Sequence, residues 1–109
     1  AIDERAYGRD HPQVATTLMN LGNAYGRLGD QAKKLELQER ALAIEERQYG
    51  HDHPELAPTL ANIGVAHMQF GASDKAREYL ERASAIFERA YGPDHGYSQQ
   101  CRRILASLS

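Results

Sequence analysis

The 109-residue sequence predicts an all-α array of antiparallel helix hairpins, on three observations. The first is internal repetition. Tyr7-Gly8-Arg9-Asp10-His11-Pro12 recurs as Tyr49-Gly50-His51-Asp52-His53-Pro54, and again as Tyr91-Gly92-Pro93-Asp94-His95-Gly96, at an ungapped offset of 42 residues. The match runs well past the loop: Leu18, Asn20, Leu21, Gly22 and Ala24 align with Leu60, Asn62, Ile63, Gly64 and Ala66. Self-similarity at a fixed period of this order marks a stack of supersecondary units. The second observation is that apolar residues between the loops are spaced by three and four, and no segment alternates as a strand would. The third is that the breaks are short, which makes successive helices antiparallel neighbours.

The elements follow in order. Residues 1–8 match the tail of a second helix, because AIDERAYG, AIEERQYG and AIFERAYG are three copies of one segment. A first helix runs from Pro12 to about Arg27, with Val14, Leu18, Leu21, Ala24, Tyr25 and Leu28 expected on its apolar face. Gly29-Asp30 breaks it, and a longer helix follows from about Gln31 to Tyr49. Glu36 and Arg40 are placed to pair at i,i+4, as are Glu78 and Arg82. The second copy predicts helices over about 54–70 and 73–91, with Ser73 as the N-cap and Asp74 in the first turn, where the helix dipole favours it. A last helix spans about 96–108. The organisation is therefore a helix tail (1–8), repeat one (12–50), repeat two (54–92) and a C-terminal capping helix (96–109).

The recurring loop reads as helix stop and helix start. Gly8, Gly50 and Gly92 stand where a helix ends in a left-handed residue. The aspartate before the next helix is able to accept backbone N–H bonds, and proline at the first helical position gives up an N–H that has no helical partner. His51-Asp52-His53 looks like a metal motif, but position 51 is Arg9 in one copy and Pro93 in the other, so only Asp-His recurs. Equivalent histidines lie at least a helix layer of about 8–10 Å apart, too far to share one zinc at about 2 Å. No metal site is expected. Gly22 and Gly64 lie inside helices, where each is about 1 kcal/mol worse than alanine; the repeated penalty implies that two helices approach closely there.

Composition narrows the function classes. Thirteen Lys+Arg balance fifteen Asp+Glu, which gives no basic surface for nucleic acid. No apolar run approaches the roughly 20 residues that cross a bilayer, so no membrane partner is expected, and the charged start is not a signal peptide. The single cysteine, Cys101, has no internal disulfide partner, which fits a cytoplasmic protein. No nucleophile–base pair, ligand cluster or phosphate loop is present, so neither an enzyme nor a cofactor is expected.

The pattern L-x-N-[LI]-G-x-A, followed by a glycine and a helix ending E-R-A-x-A-I, resembles the tetratricopeptide repeat family. The 42-residue period with YGxDHP between copies resembles its longer variant, found in kinesin light chain and many bacterial scaffold proteins. The resemblance covers the whole chain. It implies a right-handed superhelical solenoid of antiparallel hairpins, a protein–protein interaction scaffold that binds a peptide or partner protein on a concave face. The first-helix positions that form that face carry over to Thr16, Met19, Asn23, Gly26 and Arg27, and to Pro58, Ala61, Val65, Met68 and Gln69. The final helix adds Gln100, Arg103 and Ser107. Met19, Asn23, Arg27, Ala61, Val65, Met68, Gln69 and Arg103 are the expected peptide-binding residues: adaptable methionines in the middle with polar handles around them, suited to a peptide with an acidic residue. The carboxylate clamp of chaperone-binding members is absent, since Met19 stands at its lysine position and Val65 at its second asparagine.

Two departures from the family pattern stand out. Lys34 and Gln38 occupy positions that are usually apolar and that repeat two fills with Ala76 and Leu80. A buried lysine is costly unless paired, so either the second helix of repeat one turns slightly and lets Lys34 snorkel, or the site is polar for a reason; the turned helix is the expectation. The last helix carries an apolar stripe of Cys101, Ile104, Leu105 and Leu108, but Arg102 replaces the leucine of Leu18 and Leu60. That polarity suits a capping helix. It predicts a true C-terminal end, whereas the mid-repeat start predicts a segment cut from a longer array. The open N-terminal end, or helix exchange, would make a homo-oligomer, and a self-associating structural segment is the alternative function. Asn20 and Asn62 are expected to bond neighbouring elements, the three loop tyrosines to pack helix ends, His67 to be a packed ring, and Cys101 to be inert.

Overall fold

In a computed structural model of the chain, the described residues are 12–108. They form five α-helices and one 3-10 turn, with no strand. The helices are α1 (Pro12–Arg27), α2 (Gln31–Tyr49), α3 (Ala57–Gln69), α4 (Ser73–Tyr91) and α5 (Gly96–Ser107), and the 3-10 turn Pro54–Leu56 leads directly into α3. The predicted tail helix over 1–8, with Tyr7 and Gly8, lies outside the described residues, as does His11. The chain divides into two compact units, residues 1–51 and 52–109.

In the first unit α1 and α2 form one hairpin. Val14, Ala15 and Leu18 of α1 and Leu37, Ala41 and Ile44 of α2 form a buried cluster, against which Met19 and Tyr25 pack. These six positions recur at helical spacing, so each helix buries one stripe and leaves its charges in water. Gly22 lies where the two backbones come close: a Cβ built on it would stand 3.3 Å from the Lys34 carbonyl oxygen and 3.5 Å from the Leu37 Cβ. The Lys34 stem lies along Gly26, with Cδ 2.7 Å and Nζ 3.5 Å from where a Cβ would be. Lys34 is half-buried, with its stem laid along α1. Gln38, however, is fully buried, and neither amide atom meets a hydrogen-bond partner among the described residues.

In the second unit α3 and α4 repeat the hairpin, and α5 packs on α4. Leu56, Leu60, Ile63, Ala76, Leu80 and Ala83 are fully buried. Two contacts tie α5 down. The Ser98 hydroxyl donates to the Gly92 carbonyl (2.9 Å), and the Arg77 guanidinium donates to the Leu108 carbonyl (2.9 Å), one of the last acceptors of the helix. Arg102, which replaces a leucine buried in both full repeats, is instead exposed and donates to the Pro93 carbonyl at 2.6 Å.

The helix ends correct three expectations. Gly50 and Gly92 do stop α2 and α4 at positive φ, but with ψ of −174° and 159°, in the extended left-hand region rather than the left-handed helical one. Only glycine visits that region readily. Ser73 is not a cap; it is the first residue of α4, and the N-cap residue is Ala72, whose side chain bonds nothing. Asp30 caps α2 at the equivalent place in repeat one, accepting from the Lys33 amide at 3.0 Å. In the Asp-His pairs the histidine, not the aspartate, is the cap. His53 Nδ1 accepts from the Glu55 amide (3.1 Å), and His95 Nδ1 from the Tyr97 amide (3.2 Å). The remaining member of the HDH triplet, His51, faces Glu46 with Nδ1 3.1 Å from Oε2. Among the described residues no three His, Cys, Asp or Glu side chains are grouped to hold a metal ion.

Candidate functional site

The second unit holds a cavity of about 240 Å³ between α3, α4 and α5. Its walls are two helical stripes at i, i+3, i+4, i+7: Pro58, Ala61, Asn62 and Val65 on α3, and Tyr97, Gln100, Cys101 and Ile104 on α5. Phe87 of α4 contributes the floor and is buried. The lining is carbon-rich, with two primary amides, Asn62 and Gln100, as its polar groups apart from the Tyr97 phenol and the Cys101 thiol. The volume is below the roughly 300–1,000 Å³ usual for small-molecule pockets but above the roughly 150 Å³ that accommodates a benzene ring. That is room for one or two side chains.

Aromatic packing sets the lower edge of this cavity. The Phe87 ring stands 5.1 Å from Tyr97 and 6.3 Å from Tyr91, and His95 lies 4.9 Å from each of Tyr91 and Tyr97. Tyr91 thus packs the end of α4 against the start of α5, as expected of a loop tyrosine. Tyr97 and Tyr91 remain about half exposed, at 53% and 51%. Cys101 is buried, and its thiol pKa is raised, first by desolvation and then by the nearby Glu88 carboxylate. The thiolate is disfavoured, so the cysteine contributes a small apolar surface rather than a nucleophile.

Of the expected peptide contacts, Ala61 and Val65 come together on the cavity wall, joined by Pro58 and Gln100. Met68, half-buried, and Gln69, exposed, continue the same α3 stripe one turn beyond Val65. Arg103 is exposed on α5 beside the lining residue Gln100 and does not line the cavity. Ser107 is exposed one turn further. In the first unit Thr16, Asn23 and Arg27 are exposed on α1, Met19 is half-buried against the core, and Gly26 is covered by the Lys34 stem.

Sequence reading missed Asn62, Phe87, Tyr97, Cys101 and Ile104 as lining residues. Asn62, expected to bond a neighbour, is exposed at the cavity and makes no side-chain bond to the described residues, and Asn20 is likewise exposed. The reason is an offset between the faces that the two helices present. Gln100 and Ile104 of α5 align with Pro58 and Asn62, but Cys101 aligns with the buried Thr59. The lining stripe of α5 is therefore offset by three residues from that of α3: Pro58 and Gln100, and Asn62 and Ile104, face the cavity together, but the equivalents of Ala61 and Val65, Arg103 and Ser107, do not line it. One signal was available: Phe87 stands where repeat one has Glu45. His67 is a packed ring, buried and stacked on Tyr79 with centroids 5.4 Å apart and planes 11° apart.

Two family models described as tetratricopeptide repeat match the chain, one over residues 35–89 and one over residues 14–55. The first alone covers half of the sequence. The chain belongs to the tetratricopeptide repeat family. Its fold is similar to the crystal structure of kinesin light chain nearly identical TPR-like repeats from Podosopora anserina, with a TM-score of 0.87 and 23% identity over 97% of this chain and 50% of that one. A single-substitution variant of the same protein matches with a TM-score of 0.87 and 24% identity, over 97% of this chain and 50% of that chain. At these identities the likeness is one of fold, an all-α helical repeat of the solenoid kind. This tetratricopeptide repeat chain spans half the length of the chains it matches. No curated protein matches it significantly. Tetratricopeptide repeats are in general protein–protein interaction modules, and among the described residues of this one no helix is long and apolar enough to cross a membrane.

Proposed function

We propose that this tetratricopeptide repeat chain is a non-enzymatic cytoplasmic scaffold module that binds an extended segment of a partner protein. The segment seats an apolar side chain in the cavity between α3, α4 and α5. The observation that supports this reading is the cavity itself: a carbon-rich lining that includes Phe87, Cys101 and Ile104, with Asn62 and Gln100 at hand to bond a peptide backbone. Such a pairing of an apolar anchor with a few placed polar groups is how peptide grooves combine affinity and register. Arg103, exposed next to Gln100, favours an acidic residue flanking the anchor. Ala61, Val65, Met68 and Gln69 form the α3 wall and its continuation. Met19, Asn23 and Arg27 align with Ala61, Val65 and Gln69 at the 42-residue offset and are the corresponding positions of the first unit.

Selection of peptides from a displayed random library, followed by titration calorimetry, tests the reading. Val65→Arg fills the cavity mouth with a charge and is expected to weaken selected peptides at least tenfold while leaving the helical circular dichroism unchanged. Arg103→Glu is expected to weaken acidic peptides selectively, and more so at low salt. Peptides that bind both variants as well as the parent chain would overturn the reading. Concentration-dependent mass in light scattering, with no peptide selected, would favour the self-associating segment.

A further inference from the structure

We infer that α5 is a movable wall of the cavity and that Arg77 is the positioning residue that holds it in place. The evidence is where α5 is attached. Its side chains donate to the carbonyls of Gly92 (Ser98, 2.9 Å), Asp94 (Gln99, 3.1 Å) and Pro93 (Arg102, 2.6 Å), and Arg102 also reaches the Glu88 carboxylate of α4 at 3.5 Å. Tyr97 packs on Phe87, Tyr91 and His95. These attachments gather in the first two turns of α5. At the far end the Arg77 guanidinium of α4 donates to the Leu108 carbonyl at 2.9 Å. Among the described residues no side-chain hydrogen bond or ring contact joins α5 to α3, which faces it across the cavity.

The residue types fit this division. Ser98 and Arg102 align with the fully buried Leu56 and Leu60, and Arg77 aligns with Leu35. At each of these positions a directional bond to a backbone carbonyl has taken the place of an apolar side chain. Only Ser98 and Cys101 of α5 are buried, against six residues of α4. Elements with few buried apolar contacts and solvent-accessible bonds belong to the low-stability end of a structure. Side-chain bonds of this kind exchange for bonds to water at small net cost. The hydrogen bonds inside α5 need not break when they do, so the helix moves as a body. Its hinge is the loop Gly92–His95, where Gly92 holds a φ of 90° that other residues rarely adopt.

Arg77 sits where leverage is greatest. The Leu108 carbonyl is among the last of the helix, which lack an intrahelical donor, and a cation there complements the negative end of the dipole. The 12 residues of α5 span about 18 Å. A swing of about 10° at the hinge therefore moves the far end by about 3 Å, and Ile104 on the cavity wall moves with it. On the reading that the cavity seats an apolar side chain of a partner, the position of α5 decides how large that side chain is.

The test measures the separation of the two walls in the full chain. Nitroxide labels are placed at Gln69→Cys on α3 and Ala106→Cys on α5, both exposed positions outside the cavity lining, in a Cys101→Ala background. Pulsed electron spin resonance is expected to give one narrow distance distribution for the labelled chain. Arg77→Met should add a population displaced by about 3 Å or more, with helical circular dichroism unchanged. Arg77→Lys keeps a charged donor and should restore most of the narrow distribution. Unchanged distances in Arg77→Met, or loss of helicity in place of a displacement, would overturn the movable wall.

A second measurement separates this inference from the peptide reading. In the unlabelled chain, a library-selected peptide with its anchor changed from valine to tryptophan is titrated by calorimetry. Arg77→Met is expected to raise the tryptophan-to-valine affinity ratio by about fivefold or more. A displaced wall with an unchanged ratio upholds the movable wall and counts against the cavity as the anchor's seat.

Discussion

Leu80 occupies the space that any side chain on Gly64 would need: a Cβ built there would lie 2.7 Å from the Leu80 Cγ and 3.3 Å from the Ala76 carbonyl oxygen. The aligned Gly22 faces a looser wall, with its nearest neighbour the Lys34 carbonyl at 3.3 Å and Leu37 Cβ at 3.5 Å. The residue over Gly22 is Leu37, one position before Gln38, which aligns with Leu80. The same sequence feature thus carries two different packing constraints.

Gly64→Ala and Gly22→Ala are expected to separate. Alanine gains about 1 kcal/mol of helix propensity at either site. At Gly64 the methyl meets a branched carbon atom and a backbone oxygen, and overpacking of this kind costs about 1–3 kcal/mol. Chemical denaturation should therefore show a net loss for Gly64→Ala and a change within about 1 kcal/mol for Gly22→Ala. An equal response at the two sites would contradict the geometry.

Ala72→Asp should stabilise the chain. Ala72 is the N-cap residue of α4 and makes no side-chain bond, while Asp30 at the equivalent point of α2 accepts the Lys33 amide at 3.0 Å. Installing the same acceptor is expected to add about 0.5–2 kcal/mol, read as a higher melting temperature, and Asp30→Ala should remove a similar amount.

Gln38→Leu is expected to raise stability by about 1–3 kcal/mol, because a buried amide without partners is replaced by the side chain that repeat two uses at Leu80. Gln38→Glu should do the reverse, by burying a charge. A destabilised leucine variant would mean that the amide is bonded in the folded chain.

Cys101 should resist alkylation in the native chain at pH 8 by at least about tenfold relative to the urea-unfolded chain. Its raised pKa also sets a sign. The folded protein holds this thiol proton more tightly than the unfolded one, so the contribution to stability is complete below the ordinary thiol range and is lost as pH rises through it. Cys101→Ala should flatten stability at high pH relative to the parent chain, without changing it at pH 6 to 7 beyond the loss from the smaller side chain.

The sequence by itself determined the helical hairpins, because a 42-residue period and apolar spacing of three and four are properties of one chain read along its own axis. The boundaries of α2, α4 and α5 follow from the same loop, and so does the close approach at Gly22 and Gly64. Pattern alone left open how one helix turns toward the next. Whether Cys101 or Arg103 meets the cavity depends on a three-residue offset between the faces of α5 and α3, set where Tyr97 of α5 packs on Phe87. The caps were hidden for a similar reason: Asp and His are both able to accept an amide, and the extended backbone before the helix brings the imidazole, not the carboxylate, within reach. Gln38 is the clearest case, since its polarity was visible in one dimension and its burial was decided only when the folded chain closed over it.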